Sequence, residues 1–334
     1  MDKRLILAVA GSGKTTHIIN KLSENKRSLL VTYTTNNYDN LKNRIDEKFE
    51  GHCPSGISVM TYFEFLYNFC YKPFLFDVYK TKGLCFDSNP NRFIKKDSYK
   101  FYFTPDRLIY SNRLSLLLEE RGLIPFIQER ITEFFDEFII DEVQDLAGRD
   151  FSFLERLMTT DISMLFVGDF YQHTYDTSRD GSVNKTLHDD INKYIKKFTN
   201  HGFYLDDETL NYSWRCTSEV CNFISEELGI NIKSNRTDHS TIEYITDPEL
   251  ISQFLSDPGI AKLHYQKSYI YGETHHNWGS TKGQDCYEDI CVLLNKNTMK
   301  MFKAGKLSEL PPSTKNKLYV ALTRAHGSVY LIEE

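Results

Sequence analysis

Three groups of residues have the types and spacing to do chemistry. In the run Ala8-Val9-Ala10-Gly11-Ser12-Gly13-Lys14-Thr15-Thr16, two glycines stand beside a lysine and two hydroxyls. Glycines of this kind let main-chain N–H groups curl round phosphate oxygens, and a helix that starts there adds its positive dipole end. Lys14 would then reach the β- and γ-phosphates, and Thr15 would hold Mg²⁺ through its hydroxyl. The expected ligand is Mg-ATP, with Ala10, Gly11, Ser12, Gly13, Lys14, Thr15 and Thr16 around it. In Asp141-Glu142-Val143-Gln144-Asp145, Asp141 is the candidate second metal ligand. Glu142 is the candidate base that orients and deprotonates an attacking water. In Val167-Gly168-Asp169-Phe170-Tyr171-Gln172, the Gln172 amide can stand near a γ-phosphate.

The surrounding elements suit these roles. Leu5 to Val9 is a short apolar run that reads as a buried strand, and Thr16 to Leu22 has apolar residues at helical spacing. Strand, Gly-rich turn and helix are the context that a phosphate-binding loop requires. Further strands are expected at Ser28–Tyr33, Ile57–Thr61, Glu137–Asp141 and Met164–Val167, with helices between them. Alternation of this kind predicts an α/β fold with a parallel sheet flanked by helices. Thr35–Phe49 and Tyr62–Tyr71 read as helices. Lys72 to Arg107 reads as an insertion of little regular structure, with Pro73, Gly83, Pro90 and Pro105. A second α/β unit is expected after Leu205, with strands at Thr241–Ile245, Ser268–Tyr271, Ile290–Leu294 and Val329–Ile332. The expected division is 1–205 and 206–334, with 72–135 inserted into the first part.

The 334 residues suit two domains, and 40% hydrophobic with 26% charged residues is ordinary for a globular chain. No run approaches the roughly 20 apolar residues of a membrane span, and no charged-then-apolar leader stands at the start. The expectation is a cytoplasmic protein, bacterial or in a host cell, with no membrane partner. A net charge of −6 counts against a general nucleic-acid binder but not against a locally basic groove. The pairs Cys216/Cys221 and Cys286/Cys291 share a spacing; buried inert thiols are the preferred reading over a zinc site.

Taken together, these motifs make the chain resemble superfamily 1 DNA helicases of the UvrD/Rep/PcrA type. That family's phosphate loop commonly begins with Ala, as at Ala8. Its acidic motif Asp-Glu-x-Gln-Asp matches Asp141 to Asp145, and its Gly-Asp-x-x-Gln matches Gly168, Asp169 and Gln172. Asn211-Tyr212-Ser213-Trp214-Arg215 is similar to a motif whose arginine meets the γ-phosphate, which makes Arg215 the candidate. Lys282-Gly283-Gln284-Asp285 is similar to a motif whose acid meets the nucleotide sugar, with Asp285 in place of the usual Glu. Leu318 to Ala325 is similar to the last motif, and Arg324 would be its arginine finger. The likeness runs in family order over nearly the whole chain. It implies two RecA-like P-loop NTPase domains, with Mg-ATP hydrolysis in a cleft between them. It also implies movement on single-stranded DNA in the 3′-to-5′ direction. RNA as the track stays open.

By the same likeness, Tyr33, Thr61, Tyr62, Phe63 and Tyr175 are the candidate strand contacts, aromatic faces being what bases stack on. Two departures matter. With the first strand starting so close to residue 1, the upstream Gln that reads adenine in the family is expected to be missing, and adenine selectivity with it. The first accessory insertion is reduced and the second is essentially absent, which favours translocation or remodelling over processive unwinding. The rival reading is a non-unwinding ATP switch in a nuclease or anti-phage complex. A small-molecule kinase would leave Arg215 and Arg324 without a role.

Overall fold

The computed structural model describes residues 2–87, 89, 93–174 and 182–334. The chain forms two compact units. The first comprises 1–5, 15–168 and 175–205, and the second comprises 6–14, 169–174 and 206–334. The phosphate loop therefore groups with the second unit, while the helix that follows it, Lys14–Lys21, lies almost wholly in the first.

The first unit contains β1 (Lys3–Leu7), β2 (Ser28–Thr32), β3 (Ile57–Thr61), β4 (Gly83–Cys85), β5 (Leu108–Tyr110), β6 (Glu137–Asp141), β7 (Ser163–Gly168) and β8 (Tyr204–Asp206). Six of them form a sheet in the order β3-β2-β6-β7-β1-β8, in which the pairs β2–β3, β2–β6 and β6–β7 are parallel. Every residue of β2 is buried, as are Phe138 to Asp141 of β6, because helices cover both faces of such a sheet. Aromatic rings fill the space beneath: Phe138 meets Phe65 and Phe166, and Phe198 meets Phe151. The helix Thr35–Lys48 begins where the Thr34 hydroxyl accepts from the Asn37 N–H, and it buries Leu41 and Ile45, one turn apart.

The insertion carries more regular structure than its prolines suggest. Helix Lys72–Tyr79 takes Pro73 in its first turn, where the missing N–H costs nothing. β4 and β5 pair in parallel, and Tyr99–Tyr102 adds a helical turn. The expected helix Tyr62–Tyr71 is one α-turn, Tyr62–Glu64, followed by a π-helix, Phe65–Tyr71.

The second unit contains β9 (Tyr212–Ser213), β10 (Lys233–Ser234), β11 (Ile242–Tyr244), β12 (Ala261–His264), β13 (His275–Asn277), β14 (Ile290–Leu294) and β15 (Val329–Glu333). Five form a parallel sheet in the order β11-β15-β14-β12-β13. Alternate residues of β14 go to opposite faces. Ile290, Val292 and Leu294 join a core with Leu263, Trp278, Leu318 and Tyr319, while Cys291 and Leu293 pack with Ile245 and Ile332. Ser268–Ile270, expected as a strand, is a 3-10 turn. Lys267 before it has φ +59°, a left-handed conformation that no extended strand admits.

Among the described residues no group of three metal-ligating side chains occurs. Cys216, Cys221 and Cys291 are buried thiols, but Cys286 is exposed, against the expectation for that pair. No helix of the described residues is long and apolar enough to cross a membrane.

Candidate functional site

In the second unit, the loop after β1 turns through Gly11 (φ +70°) and Gly13 (φ +82°), conformations that glycine adopts without strain. Left-handed residues set in such a loop form a nest of main-chain amides that suits an anion. Gly11 is needed for space as well. A Cβ there would stand 2.7 Å from Arg215 Cβ and 2.8 Å from Ser213 Oγ. The Trp214 N–H donates to the Gly11 carbonyl (2.9 Å), and the Val9 N–H donates to the Leu210 carbonyl (2.9 Å). The structure thus brings the phosphate loop and the Tyr212–Cys216 segment together.

Two further motifs meet at the same loop. The Ala10 N–H donates to Tyr319 Oη (2.9 Å), which donates to Asp169 Oδ2 (2.9 Å). Burial, then the Asp169 charge, pushes the Tyr319 phenol well above its ordinary value, so it stays a neutral donor. Asp169 also accepts from the Tyr171 N–H (3.1 Å), which starts the turn that carries the buried Gln172. The Ala10 amide is therefore committed inside the protein.

The two candidate arginines differ. Arg215 lies against Gly11. It donates through Nε to Asp285 Oδ1 (2.5 Å) and through Nη1 to the Thr323 carbonyl (3.2 Å). Asp285 also meets His326 Nε2 at 2.8 Å. Burial works against ionisation of Asp285, yet the Arg215 hydrogen bond and charge, with His326, hold its carboxyl below the usual value. Arg324 is 1% exposed. It donates to the carbonyls of Val320 (3.0 Å), Thr281 (3.3 Å) and Gln284 (3.0 Å) and to Thr323 Oγ1 (3.4 Å). Burial first, then the Arg215 charge, pushes it down to about 10. Arg324 thus staples the turn that carries Lys282 and Gly283, the latter at φ +81° with open space about it.

In the first unit, β6 ends at the buried Asp141, whose Oδ1 accepts from the Glu142 N–H (3.0 Å). Glu142 has φ +57° and ψ 45°, a left-handed backbone rare for a residue with a side chain. Its carboxylate accepts from the Gln144 side-chain amide. Gly168, at the end of β7, leaves room for Gln144 and Val143, where a methyl group would collide with both. Thr16 Oγ1 accepts from Arg44 Nη1 (2.7 Å), and Thr15 precedes it in the first turn of the helix Lys14–Lys21.

The nucleic-acid candidates gather in the first unit. Tyr33 meets Tyr62 and Phe63 at ring distances of 6.2 and 5.7 Å. Tyr62 is 3% exposed and belongs to the core, so it backs the other two rings rather than offering a face. The Thr61 hydroxyl accepts from the Glu64 N–H (3.3 Å) while Glu64 returns a bond to the Thr61 N–H (2.8 Å), a closed capping box. Tyr175 lies outside the described residues.

Sequence reasoning missed Trp214, Tyr319 and Phe86. Trp214 is 66% exposed beside the phosphate loop, and its neighbour Arg215 was the available signal. Tyr319 falls inside the last motif, but nothing local marks its hydroxyl as the link to Ala10. Phe86, 68% exposed, sets its ring edge-on to Phe63 at 5.1 Å.

In the second unit, the glycine nest and Lys14 suit nucleotide phosphates; in the first, the Thr15 hydroxyl and the Asp141 carboxylate are the oxygen donors that Mg²⁺ takes. Ser12 Oγ, buried in the loop with no partner among the described residues, is the kind of orphaned group that a phosphate oxygen satisfies.

Residues 2–178, more than half of the chain, match the family model described as AAA domain. The chain belongs to that family. This AAA domain chain also shares its fold with two solved structures of an arterivirus helicase, nonstructural protein 10. The form solved with DNA aligns at 13% identity and TM-score 0.53, over 99% of this chain and 60% of that one. The other aligns at 14% and 0.51, over 99% and 59%. The chain thus spans about three fifths of the length of those helicases. No curated protein matches it.

Proposed function

We propose that this AAA domain chain is a Mg-dependent ATPase of the superfamily 1 helicase type. In this reading it is UvrD-like and moves 3′ to 5′ on single-stranded DNA. The observation that carries the reading is the packing of Arg215 against Gly11 in the phosphate loop. It gives a cation from the Tyr212–Cys216 segment access to the phosphates that Lys14 holds. In a simple phosphate-binding protein, that arginine would have no task.

Each residue then has a role that its geometry supports. Lys14 and the loop amides hold the phosphates, and Arg215 exchanges Asp285 for the terminal phosphate as charge develops there. The exposed Trp214 indole, hydrogen-bonded by its main chain to the loop, offers a stacking face for the base. Glu142 takes the proton of the attacking water, and the Gln144 amide fixes its carboxylate. Thr15 and Asp141 would hold Mg²⁺, which would supply charge neutralisation at the phosphate oxygens. Tyr319 and Asp169 pass a shift of the loop to the turn bearing Gln172. Tyr33 and Phe63 are the stacking faces for the single strand.

ATP turnover measured with and without a single-stranded oligodeoxynucleotide tests the reading. Stimulation supports a motor. Turnover indifferent to DNA would replace this reading with an ATP-driven switch in a larger assembly.

A further inference from the structure

The insertion has a feature that the nucleotide site does not use. A cavity of about 520 Å³ is lined by Tyr67, Lys72, Phe76, Thr81 and Lys82. The π-helix Phe65–Tyr71 builds it: the Lys72 N–H donates to the Tyr67 carbonyl five residues back. This wider winding brings Lys72 onto Tyr67, with the ammonium 4.9 Å from the ring centre. Such windings are rare and concentrate at functional sites. The Tyr67 hydroxyl is fixed on Thr81 Oγ1 (3.1 Å), and Phe76 is 39% exposed at the wall. The nearby Asp77 carboxylate is paired with Lys80. Lys72 and Lys82 have no carboxylate partner among the described residues.

The exposed Phe76 ring with the Lys72 and Lys82 ammonium groups matches one nucleotide of a single strand, a face for the base and cations for the backbone; Tyr67, stacked on Tyr71 at 5.5 Å and met by Lys72, walls the cavity. The cavity lies a short way along the chain from the other aromatic group. From Lys82 the chain runs through β4 to Phe86, whose ring meets Phe63. Four strand steps at about 3.3 Å each separate Lys82 from Phe86 by roughly 13 Å, a reach that a few nucleotides cover.

We propose that the cavity formed by Tyr67, Lys72, Phe76 and Lys82 is a second binding site for single-stranded nucleic acid, continuous with the Tyr33, Phe63 and Phe86 cluster. The insertion is then part of the track. The inference rests on the reading of the chain as a single-strand-dependent ATPase.

The test uses the full chain, fluorescent oligo-dT and oligo-rU, and a salt series. In the double variant Lys72→Gln/Lys82→Gln, affinity should fall, and the slope of log K against log salt should shrink by about 1.4, or 0.7 per lost phosphate contact. Phe76→Ala should weaken binding about fivefold or more. Basal ATP turnover without nucleic acid should stay unchanged in both, because these residues do not touch the nucleotide site. Wild-type binding with unaltered affinity and slope in both variants would overturn the cavity assignment and leave the proposed function standing. Failure of the wild-type chain to bind either oligonucleotide would overturn the proposed function and this site with it.

Discussion

Glu142 stands in a left-handed backbone, a conformation that costs about 1–3 kcal/mol for such residues and persists where the surroundings enforce it. Here the Asp141 carboxylate and the Gln144 amide do so, which suits a base that must be aimed. Glu142→Gln should therefore lower turnover by about a hundredfold or more while leaving ATP binding near wild type; stopped-flow hydrolysis beside equilibrium titration checks both halves. Lys14→Ala should lose hydrolysis through lost phosphate contact. The two arginines separate by a second readout. Replacing Arg215 with Ala should cut turnover by about a thousandfold, as losses of phosphate-facing arginines do, whereas Arg324→Ala should lower turnover only through the turn that Arg324 staples. Arg215→Ala should leave the melting temperature nearly unchanged. Arg324→Ala should lower it, because the Val320 and Thr281 carbonyls lose a buried donor at about 1–3 kcal/mol each, and the part-buried Gln284 carbonyl loses one too. Equal melting temperatures in the two variants would count against Arg324 as a staple.

Among the elements, β12 and β13 at the edge of the second sheet depend on titratable groups. His264, 1% exposed, joins Glu334 Oε1 (2.8 Å) through Nδ1 and His275 Nδ1 (2.8 Å) through Nε2, and its ring stacks on Tyr271. Burial, then the neighbouring His264, Lys262 and His276, holds His275 below its ordinary value. The unfolded chain thus takes up this proton first as pH falls. The contribution of His275 is complete above about pH 6.5 and is lost on acidification below that value. Thermal melting between pH 7.5 and 5 should show a shallower decline for His275→Gln than for wild type; parallel curves would remove His275 from the account. These strands also show where sequence reading stops. β2, β6 and β14 are legible because unbroken apolar runs announce strands buried on both faces. Ala261-Lys262-Leu263-His264 and His275-His276-Asn277 carry no such pattern, since the burial of a polar side chain such as His264 rests on a partner as distant as Glu334. The phosphate loop and the acidic turn were legible from local spacing. The burial of Arg324 was not, because it depends on carbonyls of Thr281 and Gln284, some forty positions earlier in the chain.

For the whole molecule, the net charge of −6 means that the proposed affinity for DNA has to come from local surfaces rather than from the overall field. Stimulation of turnover by oligo-dT should therefore fade steeply with added salt. A substrate with a 3′ tail should be displaced, if at all, in preference to one with a 5′ tail. A 5′ preference in that assay would set the polarity against the proposal. The Gly11 contact has a further consequence. The loop and the Tyr212–Cys216 segment occupy adjoining space with no slack: a methyl group at position 11 would meet Arg215 Cβ and Ser213 Oγ, atoms that Arg215→Ala leaves in place. Gly11→Ala should therefore cost melting temperature as well as turnover, and adding Arg215→Ala should rescue neither. A double variant that regained what Gly11→Ala lost would move the collision out to the guanidinium.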